Sequence, residues 1–116
     1  MNPREKQEKF LSGLLIRGLV DARKLAGVAN AKKLPGGEFG FCLMCLNGSS
    51  LDLYDTNFSQ EVGALLYSID LKRVTNLKTS TFIFNTYIRF TYEGFDYRLD
   101  DCLHKELYNA IKGEVQ

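Results

Sequence analysis

The stretch FGFCLMCLNG, residues 39–48, decides the fold, because it reads either as a metal knuckle or as a strand of sheet. Cys42 and Cys45 stand at C-x-x-C spacing, and Cys102 and His104, two apart far downstream, would complete a four-ligand zinc set. Zinc knuckles need a tight turn between their cysteines, usually helped by Gly or polar residues. Here the intervening residues are Leu43 and Met44, flanked by more apolar positions. In an extended strand successive side chains alternate between faces, so two cysteines three apart diverge and cannot share a tetrahedral ion. The strand reading therefore prevails over the zinc reading. Cys42 and Cys45 are expected as small core residues, with no metal and no cofactor.

On either side the texture is that of an antiparallel meander. Asn47-Gly48 supplies a hairpin turn and Leu51 to Tyr54 the returning strand, followed by a loop from Asp55 to Gly63. Ala64 to Ile69 reads as a third strand, Asp70 to Arg73 as a tight corner, and Val74 to Thr79 as a fourth strand. Phe82, Phe84, Ile88, Phe90 and Tyr92 share one parity, with a break or bulge expected at Asn85-Thr86. After the Glu93-Gly94 turn, Phe95, Tyr97 and Leu99 alternate with Asp96, Arg98 and Asp100, the clearest half-buried strand in the chain. A C-terminal helix follows, capped by Asp100 or Asp101, striped by Leu103, Leu107, Ala110 and Ile111, and stopped at Gly113.

Ahead of Leu34-Pro35-Gly36-Gly37 the pattern is different. Phe10, Leu11, Leu14, Leu15, Leu19, Ala22, Leu25 and Ala26 recur at helical steps, which predicts a helical arm over residues 1–36 ahead of a sheet domain over residues 37–116. Three glycines weaken that arm, and whether it is one helix, two, or includes a strand at Leu14 to Val20 stays open. The first 20 residues place charges before an apolar run, as a secretory signal does, but Arg17 interrupts the run and Glu5 and Glu8 sit in the basic region, so they read as mature sequence.

A chain of 116 residues can bury one core without metal or disulfide staples. It contains no apolar run near the roughly 20 residues a membrane span needs. Three cysteines, an odd number, fit a reducing, cytoplasmic setting better than a disulfide framework. The net charge of +1 divides unevenly: residues 1–36 carry eight Lys or Arg against three acids, and residues 37–116 seven against eleven. Such asymmetry suits an arm that folds back on an acidic body, or one that meets an anionic partner.

Strands that run in order through LLYSIDLKRVTNLKTSTFIFNTYIRFTYEGFDYRLDDCLHKELYNAIKG, residues 65–113, and end in an amphipathic helix resemble the pleckstrin-homology-like superfold. The likeness covers roughly residues 38–113 and is nearest to small bacterial members and the related GRAM domains. Its marks are the corner Ile69-Asp70-Leu71, the following Val74, and two strands across a Gly turn before the helix. The resemblance implies an α+β fold, a bent antiparallel sheet or partly open barrel of about six to seven strands plugged by the C-terminal helix. It also implies a non-catalytic interaction module. The chain departs from the family in lacking any Trp, so Leu107 and Tyr108 would fill that volume in the closing helix. Phosphoinositide-binding members cluster Lys and Arg around the first hairpin, whereas Asn47-Gly48-Ser49-Ser50, taken as that hairpin, is neutral.

Residue chemistry points the same way. His104 is the only histidine and has no facing nucleophile, since Cys102 lies two residues away on a helix, and there is no G-x-S-x-G, phosphate loop or H-E-x-x-H. No enzyme is expected. Tyr87, Arg89 and Arg98 share an outward parity that could meet nucleic acid, but Asp96 and Glu93 on that surface oppose phosphate, so no nucleic acid partner is expected. Lys72, Arg73 and Lys78 form the one small basic group expected to touch an anionic lipid surface or acidic peptide. Because residues 39–46 are apolar on both parities, the face with Cys42, Met44 and Leu46 is expected to be covered by the arm through Leu15 and Leu19, or by a second copy in a homo-oligomer. The partners expected are thus another protein, a second copy, or an anionic lipid surface.

Overall fold

The computed structural model describes residues 25–56, 62–82, 85–102 and 105–115. Seven strands form one antiparallel sheet: β1 (Ala26–Lys33), β2 (Gly40–Asn47), β3 (Ser50–Thr56), β4 (Val62–Asp70), β5 (Thr75–Phe82), β6 (Asn85–Tyr92) and β7 (Phe95–Asp100). A 3-10 turn, Leu71–Arg73, joins β4 to β5, and helix α1 (Lys105–Val115) follows β7. The spatial order β4-β3-β2-β1-β7-β6-β5 makes two meanders, β2–β4 and β5–β7, that share β1 between them.

β1 is the main departure from the sequence reading. Leu25 and Ala26 were counted in the stripe of the helical arm, yet the Leu25 carbonyl accepts from the Leu46 amide at 2.9 Å and Ala26 begins a strand. The sheet therefore starts well before Gly37. Its sequence, AGVANAKK, has a single β-branched residue. What holds it extended is pairing on both sides, with β2 from Ala26↔Cys45 to Ala31↔Gly40 and with β7 through Asn30↔Asp100 and Ala31↔Leu99. Tertiary pairing overrides local preference in this way at central strands. Residues 1–24 of the expected arm, Leu15 and Leu19 included, lie outside the described residues.

The turns follow their residues closely. Asn47 pairs with Ser50, so the β2–β3 loop is Gly48-Ser49, and Gly48, not Asn47, takes the positive φ of 62°. The β6–β7 turn is Glu93-Gly94, both with positive φ, as a two-residue hairpin of the mirror-image type requires. Asp70 caps the 3-10 turn by accepting from the Lys72 amide at 3.1 Å. Two boundaries move. The break expected at Asn85-Thr86 falls inside β6, leaving Phe82 at the end of β5 and 79% exposed, off the inward set of Ile88, Phe90 and Tyr92. Gly113 lies inside α1, not beyond its end.

The core sits on the concave side of the sheet. Cys42, Met44 and Leu46 of β2, Leu51 and Leu53 of β3, Ile69 and Leu71, Ile88 and Phe90 of β6, and Leu99 of β7 form one buried cluster with Leu107, Tyr108 and Ile111 of α1. The helix rests on the 3-10 turn and β5, closing that end, and Leu107 and Tyr108 are both fully buried. Elsewhere the sheet closes across itself: Tyr67 of β4 meets Tyr97 of β7 edge-to-face at 6.0 Å, although three strands separate them in the sheet order.

These positions predict a sharp contrast in urea unfolding. Leu46→Ala, at a fully buried site, should cost about 2–5 kcal/mol, while Phe39→Ser, at 77% exposure, should change stability by less than about 0.5 kcal/mol. Equal effects would be incompatible with this core.

Candidate functional site

Alternation along β2 separates the two cysteines. Cys42 belongs to the main cluster with Met44 and Leu46, whereas Cys45 and Leu43 face the other way, into a second cluster with Ala26 and Tyr54 and the half-buried Val28 and Val62. The thiols thus lie on opposite faces of one strand, which is the geometry that prevents them from sharing an ion. Among the described residues no three His, Cys, Asp or Glu side chains converge as a metal site would require. His104 lies outside the described residues. Burial, first, and then the Asp55 carboxylate push the Cys42 thiol up to about 12. Burial and then Asp52 do the same for Cys45. Both are protonated core groups at neutral pH, not nucleophiles.

Of the residues expected on a self-association face, Cys42, Met44 and Leu46 lie in the main core cluster, and Leu15 and Leu19 lie outside the described residues. The outward apolar positions are those of the opposite parity. In register, Val28, Leu43, Tyr54 and Leu65 form a row across β1, β2, β3 and β4. Phe41, 46% exposed, extends this outer face along β2, and Leu65, 52% exposed, ends it at the sheet edge. Parity was legible in the sequence; which parity faced the core was not, because both are apolar.

Recognition of β1 also relocates the first hairpin. It is residues 34–39, between β1 and β2, and Lys32 and Lys33 flank it. Lys32 places its ammonium 5.3 Å from the Phe39 ring and Lys33 5.6 Å from the Phe95 ring. The hairpin is pinned to β4. The Tyr67 hydroxyl donates to the Glu38 carboxylate at 2.8 Å and accepts from the Gly36 amide at 2.8 Å. A Cβ at Gly36 would stand 2.9 Å from that hydroxyl, so glycine is what lets the loop close over the tyrosine. Glu38 is held below the ordinary carboxylate range, chiefly by its own backbone amide and then by Tyr67. An ionised carboxylate therefore occupies the hairpin beside its two lysines. No motif announced this contact, since Glu38 and Tyr67 are far apart in sequence.

Lys72, Arg73 and Lys78 have different neighbours. Lys72 is 3.6 Å from Glu114 of α1 and Arg73 is 3.5 Å from Glu93, so each already has a carboxylate. Lys78 lies in the β5–β6 ladder directly opposite Arg89. Its neighbours there are the outward residues Tyr87, Arg89 and Arg98, and Arg98 donates twice to Asp100, at 3.0 and 3.2 Å. Of the acids expected to neutralise that face, Glu93 is turned to Arg73 and Asp96 accepts from the Thr91 hydroxyl at 2.6 Å.

With this geometry in hand, comparison with known proteins is informative about fold. The pleckstrin homology domain of ArhGAP27 superimposes with a TM-score of 0.54, covering 79% of this chain and 96% of that one at 14% sequence identity. The architecture is pleckstrin-homology-like. No protein-family model matches the chain, and no curated protein matches it in sequence. No helix among the described residues is long and apolar enough to cross a membrane.

Buried thiols carry a testable pH dependence. Because folding raises both thiol values from the ordinary 9.0 to about 12, their contribution to stability is intact below about 9 and is lost as pH climbs from there toward 12, where only the unfolded chain ionises. Cys42→Ala/Cys45→Ala should flatten the alkaline fall of the urea midpoint. Native protein at pH 8 should react with a thiol reagent at these two positions only as fast as it unfolds.

Proposed function

We propose that the chain is a non-catalytic interaction module that works through protein contacts or self-assembly, of the small bacterial or GRAM-like kind that residues 65–113 resemble. The observation that carries this reading is the outer face of β1–β4. A solvated antiparallel sheet turns polar residues outward, yet here the outward row is Val28, Leu43, Tyr54 and Leu65, with Phe41 beside it. Exposed aromatic and aliphatic side chains continuous with a buried apolar patch are what a protein interface presents. The arm stripe containing Leu15 and Leu19 is the chain's own candidate for part of that face, now directed at Leu43 and Tyr54 in place of Cys42, Met44 and Leu46. Buried free thiols at Cys42, Cys45 and Cys102 are compatible with a reducing cytoplasm.

A second reading, a peripheral membrane module, is favoured by one feature: the first hairpin presents Phe39, largely exposed, next to Lys32 and Lys33. Lysines flanking an exposed ring at a loop tip suit the boundary of an anionic bilayer. Glu38, ionised at the same loop, works against it.

The two readings separate by experiment. In light scattering across a concentration series, the full chain should self-associate or form a complex that Phe41→Ser/Leu65→Ser abolishes while the monomer stays folded. Retention on phosphatidylserine vesicles that is lost at high salt and in Lys32→Glu/Lys33→Glu, with no effect of the Phe41→Ser/Leu65→Ser pair, would establish the membrane reading and defeat the first.

A further inference from the structure

The outer face of β5–β7 differs in character from that of β1–β4. Lys78 stands in register with Arg89, and Arg89 with Arg98. Side chains directly opposite across antiparallel strands have Cβ atoms about 4.5–5.5 Å apart, and like charges there repel. Little in the chain relieves this. Asp100 is taken up by Arg98 and Asp96 by Thr91. Among the described residues no carboxylate lies within ion-pair distance of Lys78 or Arg89, and both are exposed.

Two of these cations are nevertheless held in place. The Arg89 guanidinium lies 4.5 Å from the centroid of the Tyr87 ring and the Arg98 guanidinium 6.0 Å from the same ring. Arg98 is further fixed by its two hydrogen bonds to Asp100. Resting on the ring with no carboxylate of its own among the described residues, Arg89 keeps its N–H edge free for a planar acceptor, and little side-chain freedom is left to lose on binding.

We infer that the cation pair Lys78 and Arg89, set beside Tyr87 with Arg98 already held by Asp100, docks an acidic segment of a partner protein. Carboxylates suit it better than a nucleic acid. The aromatic platform on which a base would stack is occupied by Arg89. Adjacent strands are about 4.8 Å apart, close to the roughly 5–6 Å between acidic residues three and four apart on a helix. An acidic helix laid across the strands would therefore set one carboxylate near Lys78 and one near Arg89. The inference rests on the protein-contact reading and names the class of partner for it.

The test uses the full chain and a fluorescein-labelled, Ala-rich helical peptide carrying Glu at three- and four-residue steps, with its Gln counterpart, oligo(dT) and phosphatidylserine vesicles as competitors. Fluorescence anisotropy should show binding to the Glu peptide and none to the Gln peptide. Lys78→Glu/Arg89→Glu should weaken it at least about tenfold, whereas Lys72→Glu/Arg73→Glu, an equal change in net charge, should weaken it less than about threefold. Neutral Lys78→Thr/Arg89→Thr should lose peptide binding while its melting temperature without peptide rises, because the repulsion is gone. Equal losses in the two charge reversals, absence of Glu-peptide binding, or displacement of the peptide by oligo(dT) or vesicles at lower concentration would each overturn the inference. If the peptide fails to bind while light scattering still shows association sensitive to Phe41→Ser/Leu65→Ser, the docking pair is wrong and the module reading stands.

Discussion

Everything in this architecture depends on β1 being able to pair on both sides while presenting almost nothing to the inside. The two meanders come together at this strand. The inward positions of β1 that reach the core are Ala29 and Ala31. Side chains of that size let β2 and β7 approach over the bend, and the two ladders satisfy the backbone groups a buried strand would otherwise leave unpaired. Larger residues would fill the volume that Met44, Leu99 and the helix occupy from either side, and overpacked cores respond by shifting backbone.

With the bend set by β1, closure falls to one aromatic group and one helix. Tyr97 stacks on Phe90 at 4.8 Å and receives Phe95 and Tyr67 edge-on, so a single ring joins β6, β7 and β4. Such ring pairs add about 0.5–1.5 kcal/mol beyond the area they bury. Tyr67 has an extra task, since its hydroxyl points toward the rim and needs partners. Glu38 and Gly36 supply them, which ties the first hairpin to the far edge of the sheet. At the opposite end Leu107, Tyr108 and Ile111 insert into the main core. Leu107 and Tyr108, adjacent in sequence, are both buried there.

Much of this was legible before any coordinates. Period-two alternation identified β7 and told Cys42 from Cys45, the Glu93-Gly94 pair marked its hairpin, and Asp70 marked the corner before β5. These signals are local, each carried by a few adjacent residues whose backbone preferences agree with the final state. β1 was not legible because Ala, Gly and Asn carry little strand preference, and its identity comes from partners distant in sequence. The error propagated. With β1 missing, Asn47-Gly48 was taken for the first hairpin, and the lysines that flank the true one went unnoticed. The face assignment of β2 failed for a different reason: a strand apolar on both parities gives no sign of which side the helix will cover. Lys78 was grouped with Lys72 and Arg73 by sequence proximity, whereas register sets it beside Arg89.

The outer surface is divided at the same strand that organises the interior. On the β2–β4 side the outward row is apolar, and on the β5–β7 side it is cationic, although both belong to one continuous sheet. An apolar patch supplies affinity by area removed from water, while a charged row supplies orientation and encounter rate. The two halves therefore impose different requirements on whatever they meet. Among the described residues, Glu93, Asp96 and Asp100 are already committed to Arg73, Thr91 and Arg98. The charge left over on β5 and β6 is thus a property of the folded sheet itself, created by register and relieved by none of the described contacts around it.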